Sequence, residues 1–114
     1  MSTTADGFAT TYRIARRNFV GAAMAAGLHV ASHVHPRVGI EGEELAMDVV
    51  IDGPLDADKM LVLSSACHGV EGYCGSGVQV AALGNAQWRA KAHAAGVTVM
   101  YIHALNPFGF SFKR

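Results

Sequence analysis

The sequence predicts an α/β fold, and two apolar runs on either side of an alanine-rich segment carry that prediction. Residues 60–66 (MLVLSSA) form a short unbroken apolar run, as expected of an interior strand covered on both faces. Residues 97–105 (VTVMYIHAL) form a second run, rich in β-branched and aromatic side chains. Between them, residues 76–95 predict one helix, whose middle is weakened by Gly84. Strand, helix and strand make a βαβ unit with parallel strands and a right-handed crossover.

The residues before this unit predict a helix and then one or two strands. Apolar side chains recur at the spacing of one helix face, and Gly27 stands where a helix would end. Residues 29–36 and 38–53 follow as strand segments around a turn at 41–42. The apolar residues of the helix face are Phe8, Tyr12, Ala15 and Phe19.

Composition limits the size of the protein and its partners. A chain of 114 residues, 51% hydrophobic and 16% charged, is long enough for one folded domain. Nine basic residues balance nine acidic ones, so no overall field attracts nucleic acid or an anionic membrane surface, and neither is expected as a partner. The two cysteines, Cys67 and Cys74, are too few for a disulfide scaffold, which favours a reducing, cytoplasmic setting.

Arg16 and Arg17 precede an apolar stretch of small residues, a pattern that resembles a twin-arginine export signal. The same stretch also fits an amphipathic helix, and His29 would interrupt an export core. We therefore expect a helix in a cytoplasmic protein. No apolar run has the length needed to span a bilayer.

Side chains that can bind a metal ion or take part in catalysis lie at the carboxyl ends of both strands of the βαβ unit. Residues 67–77 (CHGVEGYCGSG) come after the first strand, and residues 103–110 (HALNPFGF) include the end of the second. In an open α/β sheet the carboxyl ends of parallel strands meet at one edge, where ligands bind. The sequence therefore predicts a ligand site at this edge.

His68 and Glu71 form an HxxE pair within the first of these loops. An imidazole nitrogen and a carboxylate oxygen are both zinc ligands, and the flanking Gly69 and Gly72 permit unusual backbone angles. At this composition the spacing is expected about 0.2 times by chance, so the pair needs support from its surroundings. A catalytic zinc ion takes three protein ligands, so two make an incomplete site.

Two other functions of the loop fit its residues less well. Its glycines, spaced three, three and two apart, match neither GxGxxG nor GxxxxGK[ST], and no lysine follows, which disfavours a nucleotide-binding loop. Cys67 or Cys74 could act as a nucleophile with a histidine base, but small buried side chains are the commoner role of such cysteines.

The remaining histidines have plainer interpretations. His103 lies near a strand end, where a buried structural histidine is the commoner outcome. His33 and His35 would share one strand face, a spacing that also occurs in metal sites, but no carboxylate stands at a fixed offset and we expect them to be structural. His93 is expected on a solvated helix face.

Four segments together resemble the amino-terminal part of a bacterial family of uncharacterised domains related to zinc carboxypeptidases. The resemblance covers the chain from about Phe8 to Arg114, and its most specific pieces are HGVEGYCGSG and HALNPFGF. The superfamily also contains the succinylglutamate desuccinylase and aspartoacylase deacylases. The four segments are YRIARRNFVGAAMAAG, HPRVGIEGEELAMDVV, LVLSSACHGVEGYCGSGVQVAAL and VTVMYIHALNPFGFSFKR.

The resemblance implies a fold, a cofactor and a set of site residues. The fold is the first part of a three-layer α/β/α domain with a mixed sheet, and the cofactor is one zinc ion. His68 and Glu71 carry over as two of the three zinc ligands, and Asn106 and Gly109 as part of the wall of the substrate pocket. The implied reaction is hydrolysis of a peptide or an N-acyl amide bond in a peptide or small-molecule substrate. A non-catalytic α/β module that binds a metal or ligand is the alternative.

The resemblance also implies that residues 1–114 are the first portion of a longer domain, with residues 1–7 disordered. The third zinc ligand and the catalytic glutamate are expected beyond Arg114, so no catalytic residue is assigned and the chain alone is expected to be inactive. Family sheets carry more strands than this segment supplies, so 60–66 or 97–105 should lack a neighbour and expose apolar surface. Self-association through that edge would follow.

Overall fold

The structure is a computed structural model that describes residues 7–114 as four strands and four helices. The predicted disorder of residues 1–7 lies outside the described residues except at Gly7, which is buried. The elements in chain order are α1 (Tyr12–Ala25), β1 (Val30–Val38), β2 (Glu44–Asp52), β3 (Lys59–Ser64), α2 (Gly72–Leu83), α3 (Ala86–Ala94), β4 (Val97–His103) and α4 (Pro107–Phe112).

The strands form one mixed sheet in the order β1-β2-β4-β3. β1 and β2 are an antiparallel hairpin, β2 pairs antiparallel with β4, and β4 pairs parallel with β3. The mixed α/β fold, the hairpin and the parallel βαβ unit predicted from the sequence are therefore confirmed.

The crossover is not the single helix that the sequence predicts. α2 ends at Leu83, Gly84 follows it, and α3 starts after Asn85, whose side-chain oxygen accepts a hydrogen bond from the Trp88 amide at 3.0 Å. An asparagine cap satisfies an amide that would otherwise have no partner at a helix start. The Gly-Asn pair therefore divides the segment into two helices.

Helix α1 begins later than its apolar pattern suggests. Thr11 caps it by accepting a hydrogen bond from the Ile14 amide at 3.3 Å, so Phe8 lies outside the helix. Gly27, with a φ of 76°, follows its last turn, in agreement with the sequence. The residues of α1 that are buried against the sheet and α4 are Tyr12, Ala15, Phe19 and Ala23.

β3 is the main correction to the predicted sheet. It was expected to be an interior strand, but it lies at an edge, with Met60, Leu61 and Val62 exposed to 45%, 40% and 51%. β4 is the interior strand of the βαβ unit. The expectation that one of these two strands lacks a neighbour is confirmed for β3.

The hydrophobic core lies between the helices and one face of the sheet. One cluster joins α1, α2 and α3 to Val50, Val99 and Tyr101 of the central strands. A second cluster packs Tyr12 of α1 on Phe110 of α4 and extends to the loops at the carboxyl edge. Among residues 7–114, every helix is too short or too polar to cross a membrane.

Candidate functional site

The loops that follow β3 and β4 are joined by main-chain hydrogen bonds. The Leu105 amide donates to the Ser65 carbonyl at 2.9 Å, and the Asn106 amide donates to the Ala66 carbonyl at 2.8 Å. The Ser65 hydroxyl also accepts a hydrogen bond from the Ala104 amide at 3.1 Å. The two loops therefore meet at the carboxyl edge of the sheet, as the sequence predicts.

Two alanines in this junction have left-handed backbones. Ala66 has a φ of 54° and Ala104 a φ of 61°, and both are buried where β3 and β4 give way to their loops. This conformation costs a residue with a side chain about 1–2 kcal/mol, and residues held in it cluster at functional sites. Alanine gives no sequence signal for it, so sequence analysis missed this feature.

His68 and Glu71 both lie in the turn that leads into α2, and both residues are exposed. A Glu71 carboxylate oxygen accepts a hydrogen bond from the His68 amide at 3.1 Å. Among the described residues, neither the His68 ring nor the second carboxylate oxygen has a hydrogen-bond partner. Ring nitrogens and one carboxylate oxygen are therefore free to bind a ligand.

Asn106 and Gly109 pack α4 against this turn. The Asn106 side-chain oxygen caps α4 by accepting a hydrogen bond from the Gly109 amide at 3.0 Å. A Cβ atom added at Gly109 would lie 2.9 Å from the His68 carbonyl oxygen and 2.6 Å from the Asn106 side-chain nitrogen. Both residues have a structural reason for their identity, and their role in a pocket wall stays a prediction.

The other glycines of the loop allow α2 to approach the end of β3. A Cβ atom at Gly72 would lie 2.6 Å from that of Ala66, and one at Gly75 would lie 2.9 Å from that of Ser65. A Cβ atom at Gly77 would overlap the ring of Phe8. Helix packing thus explains a glycine pattern that matches no phosphate-binding motif.

His103 lies inside the core, beneath the junction. Its ring stacks on Phe19 with centroids 4.6 Å apart, and its Nε2 is 2.8 Å from the Ser76 hydroxyl on α2. Burial lowers the pKa of His103 to about 4, so the ring is neutral at physiological pH. The prediction of a structural histidine is confirmed, and the Ser76 contact holds α2 on β4.

Of the predictions about other side chains, that for the cysteines is wrong, that for His93 needs refinement and that for His35 agrees with the structure. Cys67 and Cys74 are exposed free thiols rather than small buried side chains. His93 is half exposed, but its Nε2 lies 2.8 Å from a carboxylate oxygen of Asp52, so it is tied to the end of β2. His35 accepts a hydrogen bond from the Arg37 amide at 3.0 Å, which agrees with a structural role.

The structure adds no third residue to the two predicted metal ligands, His68 and Glu71, within the residues it describes. In the part of the chain that the structure describes, no group of three or more histidine, cysteine, aspartate or glutamate side chains is placed to hold a metal ion. The ligand roles of His68 and Glu71 therefore stay predictions.

A groove of about 560 Å³ lies away from this edge, between α1 and the β1-β2 hairpin. Arg16 lines it and forms an ion pair with Asp48, whose carboxylate is fully buried, at 2.8 Å. Burial alone would lower the pKa of Arg16, but its hydrogen bonds to Asp48 and Glu44 outweigh that effect and raise it. Arg16 is thus part of the folded domain.

Comparisons with known proteins agree with the fold. A family model described as "Protein of unknown function (DUF2817)" matches residues 8–114. The crystal structure of Tannerella forsythia glutaminyl cyclase is similar, with a TM-score of 0.55 and 15% sequence identity over 88% of this chain and 40% of that one. A comparison with curated proteins gives no match.

Two further solved structures are more distant. Porphyromonas gingivalis glutaminyl cyclase has a TM-score of 0.44 and 14% identity over 90% of this chain and 40% of that one. Esterase LipW from Mycobacterium marinum has a TM-score of 0.37 and 16% identity over 80% and 26%.

The chain spans less than half the length of each of these structures. At 15% identity, the likeness to the Tannerella forsythia enzyme shows a shared α/β fold. The family match extends over nearly every residue that the structure describes, and the chain therefore belongs to the DUF2817 family.

Proposed function

We propose that the chain carries part of the active site of a zinc-dependent hydrolase that cleaves peptide or N-acyl amide bonds. His68 and Glu71 are two of the zinc ligands in this proposal. The observation that carries it is that both residues are exposed in one turn, with side-chain atoms that make no hydrogen bond within residues 7–114, at the edge where the loops after β3 and β4 meet. Ligands bind at this edge in open α/β sheets.

The donor set fits two-thirds of a catalytic zinc site. Imidazole nitrogen and carboxylate oxygen are the ligand atoms of many hydrolytic zinc sites, which keep one position for water. The proposal requires a third ligand and a catalytic carboxylate from outside residues 7–114. When bound, zinc would lower the pKa of a bound water molecule and polarise the scissile carbonyl.

The residues around the ligands would position both them and the substrate. The hydrogen bond from the His68 amide to Glu71 fixes the carboxylate and leaves its other oxygen free. The side-chain nitrogen of Asn106 is not used by the helix cap and could donate to a substrate carbonyl, because the cap uses the oxygen. Gly109 keeps α4 close to the His68 main chain.

The proposal extends to substrate class and location. The structural neighbour from Tannerella forsythia is named for its action on glutaminyl groups, which agrees with a peptide or small-molecule substrate that carries an amide. We also propose a cytoplasmic location, because the two cysteines are free thiols, as in a reducing compartment. Neither nucleic acid nor a membrane surface is proposed as a partner, since the sequence has no net charge.

Zinc titration by calorimetry, with matched variants, tests the ligand assignment. Glu71→Gln keeps an oxygen that can accept from the His68 amide but removes the charged ligand, so it separates metal binding from turn structure. His68→Ala removes the imidazole, and His33→Ala serves as the control because His33 is exposed on β1, distant in sequence.

We expect His68→Ala and Glu71→Gln each to weaken zinc binding at least about tenfold, with His33→Ala unchanged. Wild-type affinity in His68→Ala would refute the assignment. The chain alone is expected to show no turnover of peptides or N-acyl amino acids, and chelator-sensitive turnover would contradict the requirement for residues outside 7–114.

A further inference from the structure

We propose that His103 is a positioning residue, which fixes the turn that carries His68 and Glu71 relative to the loop that carries Asn106. The inference rests on the proposed function, because it gives a buried side chain a role in that site. Its basis is that one enclosed ring contacts both of the helices that begin at the candidate site.

The His103 ring is held in place from the side of α1. Its exposed fraction is 0%, and it stacks on Phe19 of α1 with centroids 4.6 Å apart. The pairing of β2 with β4 puts Asp48 opposite His103, and the Asp48 carboxylate accepts two hydrogen bonds from Arg16 of α1. The ring therefore has a fixed position from which it can support other elements.

The first of these elements is α2. His103 Nε2 lies 2.8 Å from the Ser76 hydroxyl, and Ser76 lies about one turn after Gly72, which directly follows Glu71. Ser76 is the first buried residue of α2 that has a side chain, and its bond to His103 therefore holds the start of the helix. The buried residues of α2 are Gly72, Ser76, Gly77, Gln79 and Leu83.

The second element is α4. The centroid of the Phe110 ring lies 5.9 Å from that of His103, and Phe110 lies about one turn after Asn106, the cap of α4. Phe110 also packs edge-on against Tyr73 of α2, with centroids 4.5 Å apart. The His103 ring thus supports both helices about one turn inside the edge where the two loops meet.

An apolar side chain of the same size could not take over this role. It would fill the space but leave the Ser76 hydroxyl buried without a partner. A functional site needs its binding groups held to within about 0.5 Å by side chains whose own positions are fixed by packing and hydrogen bonds. His103 meets both requirements, because Phe19 fixes its ring and its Nε2 fixes the start of α2.

Loss of the His103 contact should displace the first turn of α2 without releasing the helix. The Gln79 side-chain nitrogen donates to the Leu63 carbonyl at 2.8 Å and to the Ile102 carbonyl at 3.0 Å. These bonds tie α2 to β3 and β4 about one turn beyond Ser76. The helix is therefore held at this point when the bond between His103 and Ser76 is removed.

Amide spectra of the full chain without zinc test the positioning directly. His103→Leu keeps a side chain of similar size in the core but removes the nitrogen that contacts Ser76. We expect the amide resonances of His68, Glu71 and Asn106 to shift in this variant. Ser76→Ala, which removes only the hydroxyl, should shift those of His68 and Glu71, and it makes the same test if His103→Leu does not fold.

Tyr101→Phe is the matched control. It also removes a hydrogen bond between β4 and a helix, the one that Trp88 of α3 donates to the Tyr101 hydroxyl at 3.1 Å. The candidate site takes no residue from α3, so the resonances of the His68 turn should not change. His103→Gln keeps a polar partner for Ser76 and should restore most of the wild-type resonances.

Zinc calorimetry connects the positioning to the proposed function. At a temperature where every variant is fully folded, His103→Leu should weaken zinc binding about threefold to tenfold, less than the loss of a ligand. Tyr101→Phe should bind as the wild type does, and His103→Gln should lie close to it. A loss of stability alone leaves the affinity of the folded chain unchanged, so this pattern separates positioning from stabilisation.

Three results would overturn the inference. They are wild-type resonances of the His68 turn in both His103→Leu and Ser76→Ala, equal shifts in Tyr101→Phe, and wild-type zinc affinity in His103→Leu when His68→Ala weakens binding. Equal zinc affinity of the wild type and His68→Ala would refute the proposed ligand role instead. In that event the spectra without zinc decide the positioning role of His103.

Discussion

Gly109→Ala should destabilise the protein although it places a better helix former in α4. A Cβ atom there would lie 2.9 Å from the His68 carbonyl oxygen, closer than real Cβ contacts, and 2.6 Å from the Asn106 side chain. Overpacking costs about 1–3 kcal/mol, and displacing the Asn106 cap costs about 1 kcal/mol more. The helical preference of alanine returns about 0.5–1 kcal/mol. The net loss is about 1–3 kcal/mol of unfolding free energy.

Thermal unfolding followed by circular dichroism measures the effect, with Gly21→Ala as the control. Gly21 lies within α1, and a Cβ atom there meets nothing within 4 Å. Gly109→Ala should lower the Tm by about 4–13 °C, and Gly21→Ala should raise it by about 2–4 °C. If the Tm of Gly109→Ala equals or exceeds that of the wild type, α4 is not pressed against the His68 turn and the packing argument fails.

Three further predictions concern buried polar groups. Tyr12→Phe should lower the free energy of unfolding, measured in urea, by about 2–4 kcal/mol. The Tyr12 hydroxyl both donates to and accepts from the Ala46 main chain, so its loss leaves two buried groups unpaired. A decrease below about 0.5 kcal/mol would contradict this. Burial lowers the pKa of His103 to about 4 from 6.5, so only the unfolded chain gains this proton in that interval. The free energy of unfolding should therefore fall by about 3 kcal/mol between pH 6.5 and pH 4, and His103→Gln should flatten the profile; an unchanged slope in that variant would refute the assignment. Asp52→Asn should cost about 1–3 kcal/mol in the same assay, since Arg89 and His93 both lose a charged partner, whereas the exposed Asp56→Asn should cost under about 0.5 kcal/mol.

Local patterns predicted the elements whose burial follows their sequence. β2 alternates between buried and half-buried residues, and the helical spacing of Tyr12, Ala15 and Phe19 matches the buried face of α1. The β-branched run that starts at Val97 forms strand β4, as its composition predicts. In these elements the side chains that carry the pattern make the contacts that stabilise it, so sequence period and structure agree.

Where the sequence misled, the deciding contact lies far along the chain. The apolar run 60–66 has the composition of an interior strand, but the position of a strand in the sheet depends on which distant segments pair with it. The composition of a single segment does not contain that information. The left-handed Ala66 and Ala104 are held by bonds between two loops, the Ser65 hydroxyl among them, and no local preference of alanine anticipates them.

The candidate site and the fold depend on the same backbone, and this separates two classes of substitution. Ser65, Gly72 and Gly109 form the junction on which the His68 turn rests, so changes there should alter stability and zinc affinity together. The His68 side chain is exposed, and its ring makes no hydrogen bond within residues 7–114, so its removal should alter zinc affinity with little change in stability. The proposed ligand role of His68 is thus distinguishable from the packing roles of Ser65, Gly72 and Gly109, because only the change at His68 should leave the stability of the fold nearly unaltered.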